Sequence, residues 1–139
     1  MLYISNSELD TMKIAENMAK NAKKGDAIAL SGELGSGKTF FARAFINYFS
    51  RGKEEVIVVS PTFNIVKMYD TADFTIYHLD LYRLKKVDEL YELDLDNIFQ
   101  NVSLVEWPAL MYEIVPKNRL KSVEIRITNG YREFIVQDS

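Results

Sequence analysis

An α/β domain, with a mostly parallel sheet flanked by helices and extended by antiparallel hairpins, is the fold class this sequence predicts, on three observations. Short apolar runs without polar alternation, "DAIALSG", "EEVIVVS" and "VSLVEW", read as strands buried on both faces. Among them lie segments whose apolar residues recur at helical spacing. Two pairs of extended runs, one about "DTAD" and one about "NG", have the form of hairpins. Strands alternating with helices place crossover helices on a parallel sheet. The 139 residues suit a single domain over residues 1–139, and no linker, repeat or low-complexity stretch divides them.

In chain order, "SNSELDTMKIAENMAKNAKKG" begins with Ser5 and Glu8 at capping-box spacing and carries Leu9, Met12, Ala15, Met18, Ala19 and Ala22 along one helix face. Gly25 is its expected stop. "DAIALSG" then predicts a strand that runs into "GELGSGKT", and Phe41, Ala44, Phe45, Tyr48 and Phe49 mark the helix that follows, ended by "SRGK". "EEVIVVS" predicts a strand that stops at Pro61, which cannot donate to a ladder. Phe63 to Tyr69 and Phe74 to Leu81 form the first hairpin, and "KKVDELYELDLDNIFQN" supplies one or two short helices. "VSLVEW" is a buried strand, and "KSVEIRIT" with "YREFIV" closes the chain as a hairpin.

Composition limits the function classes. With 47% hydrophobic and 27% charged residues the chain is an ordinary globular one. It has no cysteine, which excludes disulfides, thiolate zinc sites and cysteine nucleophiles. No apolar run reaches the roughly 20 residues of a membrane helix, and "MLYISNSELD" lacks the regions of a signal peptide, so a cytoplasmic protein with no membrane role is expected. A formal net charge of -3 argues against broad nonspecific nucleic-acid binding, so any nucleic-acid role is expected to run through a partner.

The strand–loop–helix segment carries the chemistry. Gly32, Gly35, Gly37, Lys38 and Thr39 match G-x-x-x-x-G-K-[ST] in full, and the match sharpens the fold expectation to a P-loop NTPase-like sheet. The stretch Glu33, Leu34, Gly35, Ser36, Gly37, Lys38, Thr39 and Phe40 is the expected nucleotide cradle, where glycines let the backbone approach phosphates and the helix start adds its positive dipole end. Lys38 is expected to bridge the terminal phosphates, and the Thr39 hydroxyl to ligate magnesium. Magnesium needs further oxygens, and two strand-end carboxylates are candidates to supply them: Glu106 after "SLV", and Asp80 in "HLDLYR". Either acid could instead serve as a cap or a surface ion pair. His78, the only histidine, could be a base, a ligand or an ordinary half-buried residue, and the ordinary reading is preferred, as it is for Trp107; Tyr82 and Arg83 could reach a phosphate or a partner, or Arg83 could belong to a solvated helix entry with Lys85 and Lys86.

Four segments in this order resemble one family, the bacterial TsaE (YjeE) proteins: "GELGSGKT", "SPTF" at 60–63, "YHLDLYRL" at 77–84 and "VEWP" at 105–108. The resemblance covers nearly the whole chain. It implies an ATPase that uses ATP and Mg2+ in tRNA threonylcarbamoyladenosine biosynthesis, joins the partners TsaB and TsaD, reaches tRNA through them, and resets their complex by hydrolysis. Carried to this sequence, it implies that Lys38 and Thr39 hold phosphates and magnesium, that Glu106 supports magnesium, that Asp80 is needed for hydrolysis and that Thr62 senses the terminal phosphate. It also implies that Arg132, in "GYREF", approaches the nucleotide. Asp94 stands where the family commonly has glycine, which puts the local turn there in question. A small-molecule kinase and a nonenzymatic nucleotide sensor are the alternative functions.

Overall fold

The computed structural model describes residues 1–50, 55–62 and 64–138. The elements are β1 (Leu2–Ser5), α1 (Glu8–Lys20), β2 (Ala27–Gly32), α2 (Lys38–Tyr48), β3 (Val66–Asp70), β4 (Thr75–Asp80), α3 (Val87–Leu90), α4 (Leu95–Gln100), β5 (Val102–Glu106), β6 (Leu120–Thr128) and β7 (Tyr131–Gln137). Short 3-10 turns, Ala109–Glu113 and Lys117–Arg119, join β5 to β6. The strands form one sheet in the order β1-β7-β6-β2-β5-β4-β3. β6, β2, β5 and β4 run parallel, while β3, β7 and β1 add antiparallel edges. The fold class is therefore the expected one, with parallel strands at the centre and hairpin partners outside.

Alternation along the parallel strands gives the sheet two faces. Ile28, Leu30, Ile76, Val102 and Leu104 pack with Ala15, Phe41 and Phe45 under α1 and α2. Ala27, Ala29, Leu79 and Val105 pack with Leu90, Ile98 and Met111 on the other side. By the same alternation His78, Asp80 and Glu106 belong to the face covered by α2. The register pairs Leu30 and Asp80 with Glu106, which brings the ends of three parallel strands level.

Three expectations are corrected. Ser7, not Ser5, caps α1: the Asp10 amide donates to Ser7 Oγ, and the Asn6 amide to Asp10 Oδ2. Ser5 instead ends β1, which pairs with β7. Over its described residues "EEVIVVS" is not a strand: β4 holds the sheet position beside β5, β3 holds the one beside β4, and residues 55–60 join neither edge. Residues 55–60 run outside the ladder: the Asn47 side chain binds both backbone polar groups of Val56, and Val58 is buried in the core. Helix α2 ends at Tyr48, before "SRGK". Residues 51–54 of the "SRGK" and "EEVIVVS" expectations and Phe63 of the first hairpin lie outside the described residues. Asp94, the N-cap residue that precedes α4, has φ -79°, a backbone that needs no glycine.

Candidate nucleotide site

The loop between β2 and α2 is shaped by its glycines. Gly35 and Gly37 have φ of 81° and 108°, in the left-handed region that a Cβ disfavours. At Gly32 a Cβ would lie 2.6 Å from Ser36 Oγ and 2.8 Å from the Ile125 carbonyl oxygen, so the β2 end can accept no side chain. Helix α2 starts at Gly37 with no side-chain cap. The Lys38, Thr39 and Phe40 amides, in its first turn, therefore have no intrahelical acceptor. That is the chemistry of an anion cradle.

Lys38 is buried beside this loop. Its Nζ donates to the Gly32 and Glu33 carbonyl oxygens at 2.6 and 3.2 Å and stands 4.2 Å from the centre of the Trp107 ring. Burial lowers its pKa from the usual lysine value, while Glu106 and Asp80 oppose the shift. Trp107 itself has φ 55°, a left-handed backbone unusual for a bulky residue and of a kind concentrated at functional sites. It packs against Tyr82, ring centres 5.0 Å apart.

The two strand-end acids meet different donors. Thr39 Oγ1 lies 3.2 and 3.1 Å from the two Glu106 carboxylate oxygens. Asp80 Oδ2 accepts from the hydroxyls of Ser60 at 2.7 Å and Thr62 at 2.8 Å, and Oδ1 accepts from the Tyr82 amide at 3.0 Å. A cleft of about 470 Å³ is lined by Leu34, Gly35, Gly37, Lys38, Thr39 and Phe40 from the loop side. Ser60, Thr62, Asp80, Tyr82, Glu106 and Trp107 line it from the strand side. Thus most of the expected site residues share one cavity. Glu33 contributes its carbonyl to Lys38, and Ser36 is buried behind the loop. Arg132 approaches from β7, its Nε donating to the Ser36 carbonyl at 2.8 Å. Arg132, Phe40 and Gly37 line a neighbouring cleft of about 310 Å³ that reaches Ser7 and Glu8 of the α1 start.

The donor set suits magnesium, a hard cation that takes oxygen ligands. Thr39 and Glu106 offer a hydroxyl and a carboxylate side by side. Among the described residues no group of three or more His, Cys, Asp and Glu side chains could form a cage by itself. The chemistry fits magnesium as it is usually held, by few protein groups together with phosphate oxygens and water.

Sequence reasoning placed the segments of two further residues by the site without giving either residue a role. Ser60 holds Asp80, and its only signal is the hydroxyl spacing in "SPTF". His78, read as packing, places Nε2 2.7 Å from Glu106 Oε2, and the signal was its position two residues before Asp80 on one strand face.

Comparison with known proteins gives consistent matches. The family model described as "Threonylcarbamoyl adenosine biosynthesis protein TsaE" matches residues 5–134. The tRNA threonylcarbamoyladenosine biosynthesis protein TsaE of Rickettsia conorii is 42% identical over 115 residues, covering 82% of this chain and 65% of that protein. The chain thus spans just under two thirds of that relative's length. The protein of the same name from Bacillus subtilis is 41% identical over 126 residues, 89% of this chain and 77% of its own. A crystal structure of Bacillus subtilis YdiB superposes with a TM-score of 0.76 and 33% identity, over 96% of this chain and 82% of that one. Among the described residues no helix is long and apolar enough to cross a membrane.

Proposed function

This chain belongs to the TsaE family of threonylcarbamoyl adenosine biosynthesis proteins, and on that premise we propose that it is a magnesium-dependent ATPase acting with TsaB and TsaD in tRNA threonylcarbamoyladenosine modification. The observation that carries the reading is the convergence of Lys38, Thr39, Asp80 and Glu106 on one cleft at the ends of parallel strands. A glycine loop alone would support phosphate binding. The paired acids add what hydrolysis needs.

In this reading the α2 amides and Lys38 hold the phosphates, and the lysine exchanges its loop carbonyls for phosphate oxygens. Thr39 and Glu106 would hold magnesium, which when bound neutralises charge on the phosphate oxygens. Trp107 covers one side of the Lys38 ammonium and limits its hydration. Phe40 and Arg132 flank the adjoining cleft, which receives the nucleoside end of ATP. Asp80 orients the attacking water as a hydrogen-bond acceptor. Its Oδ2 carries two hydroxyl donors, so transfer of the Thr62 hydroxyl to the terminal phosphate frees an acceptor position for that water. Loss of the phosphate returns Thr62 to Asp80, and residues 55–62 carry the change to a surface that TsaB and TsaD read. The net charge of -3 accords with tRNA being reached through those partners.

Equilibrium binding of ATP to the purified chain tests the first step. Micromolar binding that Lys38→Ala weakens by about 100-fold is expected, the order of a lost charge-assisted contact in a buried site. Unchanged affinity in that variant would refute the assignment of the cleft.

A further inference from the structure

Glu106 has more to do than its position on β5 ensures. It is 3% exposed, and a carboxylate taken out of water needs donors to fix it. Thr39 can give it one hydroxyl proton, shared between two oxygens at nearly equal distance. That contact alone does not distinguish the two oxygens. The shorter contact comes from behind, where His78 Nε2 lies 2.7 Å from Oε2.

His78 is fully buried on β4, between Ile76 and Asp80 on the same strand face. Nδ1 has no hydrogen-bond partner among the described residues. With Nδ1 unpartnered, the ring's polar contact goes wholly to Glu106 through Nε2, where a hydrogen on that nitrogen finds a carboxylate acceptor. A histidine kept only for packing would leave this choice of acceptor unexplained, since an apolar ring could fill the same volume without an unpaired nitrogen. We propose that His78 is a positioning residue for magnesium: it holds Glu106 Oε2 from the protein side, so that Oε1 and Thr39 Oγ1 face the cleft together as oxygen ligands. The inference rests on reading the cleft as a magnesium–nucleotide site. Groups that orient a metal ligand in this way commonly matter by about 10- to 100-fold in metal affinity.

The test uses two amides of equal polarity and different reach. In His78→Gln the amide nitrogen can occupy the place of Nε2; in His78→Asn it falls short. Binding of a fluorescent ADP analogue is titrated for each full-length variant in EDTA and across a magnesium series, with thermal melts confirming folding. We expect His78→Asn to raise the magnesium concentration at half-effect by about 10- to 100-fold, with affinity in EDTA unchanged within about twofold. His78→Gln should stay within a few-fold of wild type. Adding His78→Asn to Glu106→Ala should shift the magnesium midpoint no further. Equal shifts for Asn and Gln, an equal loss of affinity in EDTA, or the full shift persisting without Glu106 would each overturn the proposal. Wild-type protein that binds the analogue without any magnesium effect would overturn the metal reading as well, and so separates the two failures.

Discussion

Replacing Gly32 with alanine should be the most damaging single-methyl change in the loop. The new Cβ would stand 2.6 Å from Ser36 Oγ and 2.8 Å from the Ile125 carbonyl, and φ at this position is 151°. Ser36 is fully buried and the carbonyl belongs to the neighbouring strand β6, so neither can yield without moving the sheet or the loop. Positive-φ strain costs an L residue about 1–2 kcal/mol, and overpacking a tight site about 1–3 kcal/mol more, a sum of about 2–5 kcal/mol. Against a total stability of about 5–15 kcal/mol that is a large fraction. At about 3–5 °C per kcal/mol for a chain of this size, Tm should fall by about 6–25 °C. Gly130→Ala is the control, because its φ of 78° carries the strain alone with nothing within 4 Å of the new methyl. It should lose only about 1–2 kcal/mol. Thermal and urea unfolding followed by circular dichroism measure both. Equal Tm values for the two variants would refute the close-approach argument.

Three further outcomes are expected. Because burial lowers the Lys38 pKa, the ammonium is lost at lower pH than in a free lysine, so nucleotide affinity should fall as pH rises through the folded value. Over the window between the folded and unfolded values the unfolded chain binds more protons, so stability attributable to Lys38 rises with pH while affinity falls; comparison with Lys38→Ala in both assays isolates the two signs. Asn47→Ala removes the two hydrogen bonds to the Val56 backbone and should cost about 1–3 kcal/mol, with amide-exchange protection lost at Val56; unchanged protection there would refute the role of Asn47 as a substitute ladder partner. Phe134→Ala, which empties a fully buried site stacked on Phe41, should cost about 3–5 kcal/mol in urea unfolding and leave nucleotide contacts unaltered at saturating ATP.

What the sequence could say depended on how local the cause was. β2, the loop and α2 were legible because glycine spacing, an apolar run and helical periodicity act within about 20 residues. Glu106 and Asp80 were legible as strand-end acids. Their different donors were not, because Ser60 and Thr62 reach Asp80 from a segment outside the ladder and His78 reaches Glu106 from the neighbouring strand. The α1 start misled because Ser5–Glu8 and Ser7–Asp10 have the same spacing, and only the pairing of β1 with β7 decides between them. "EEVIVVS" has strand composition, yet its described residues lie outside the ladder, with the Asn47 side chain bonding the Val56 backbone where a strand neighbour would. The terminal hairpin was readable from "NG", but its insertion beside β2 through β6 was a long-range outcome.

The most direct test of the central claim is phosphate release from ATP by the purified chain, alone and with TsaB and TsaD, for wild type and Asp80→Asn. The account predicts partner-stimulated hydrolysis that Asp80→Asn lowers by about 10²- to 10⁴-fold while ATP still binds, since the amide keeps the size of the carboxylate but not its charge or acceptor capacity. Full hydrolysis by Asp80→Asn, or none by wild type with both partners and saturating ATP, would contradict it.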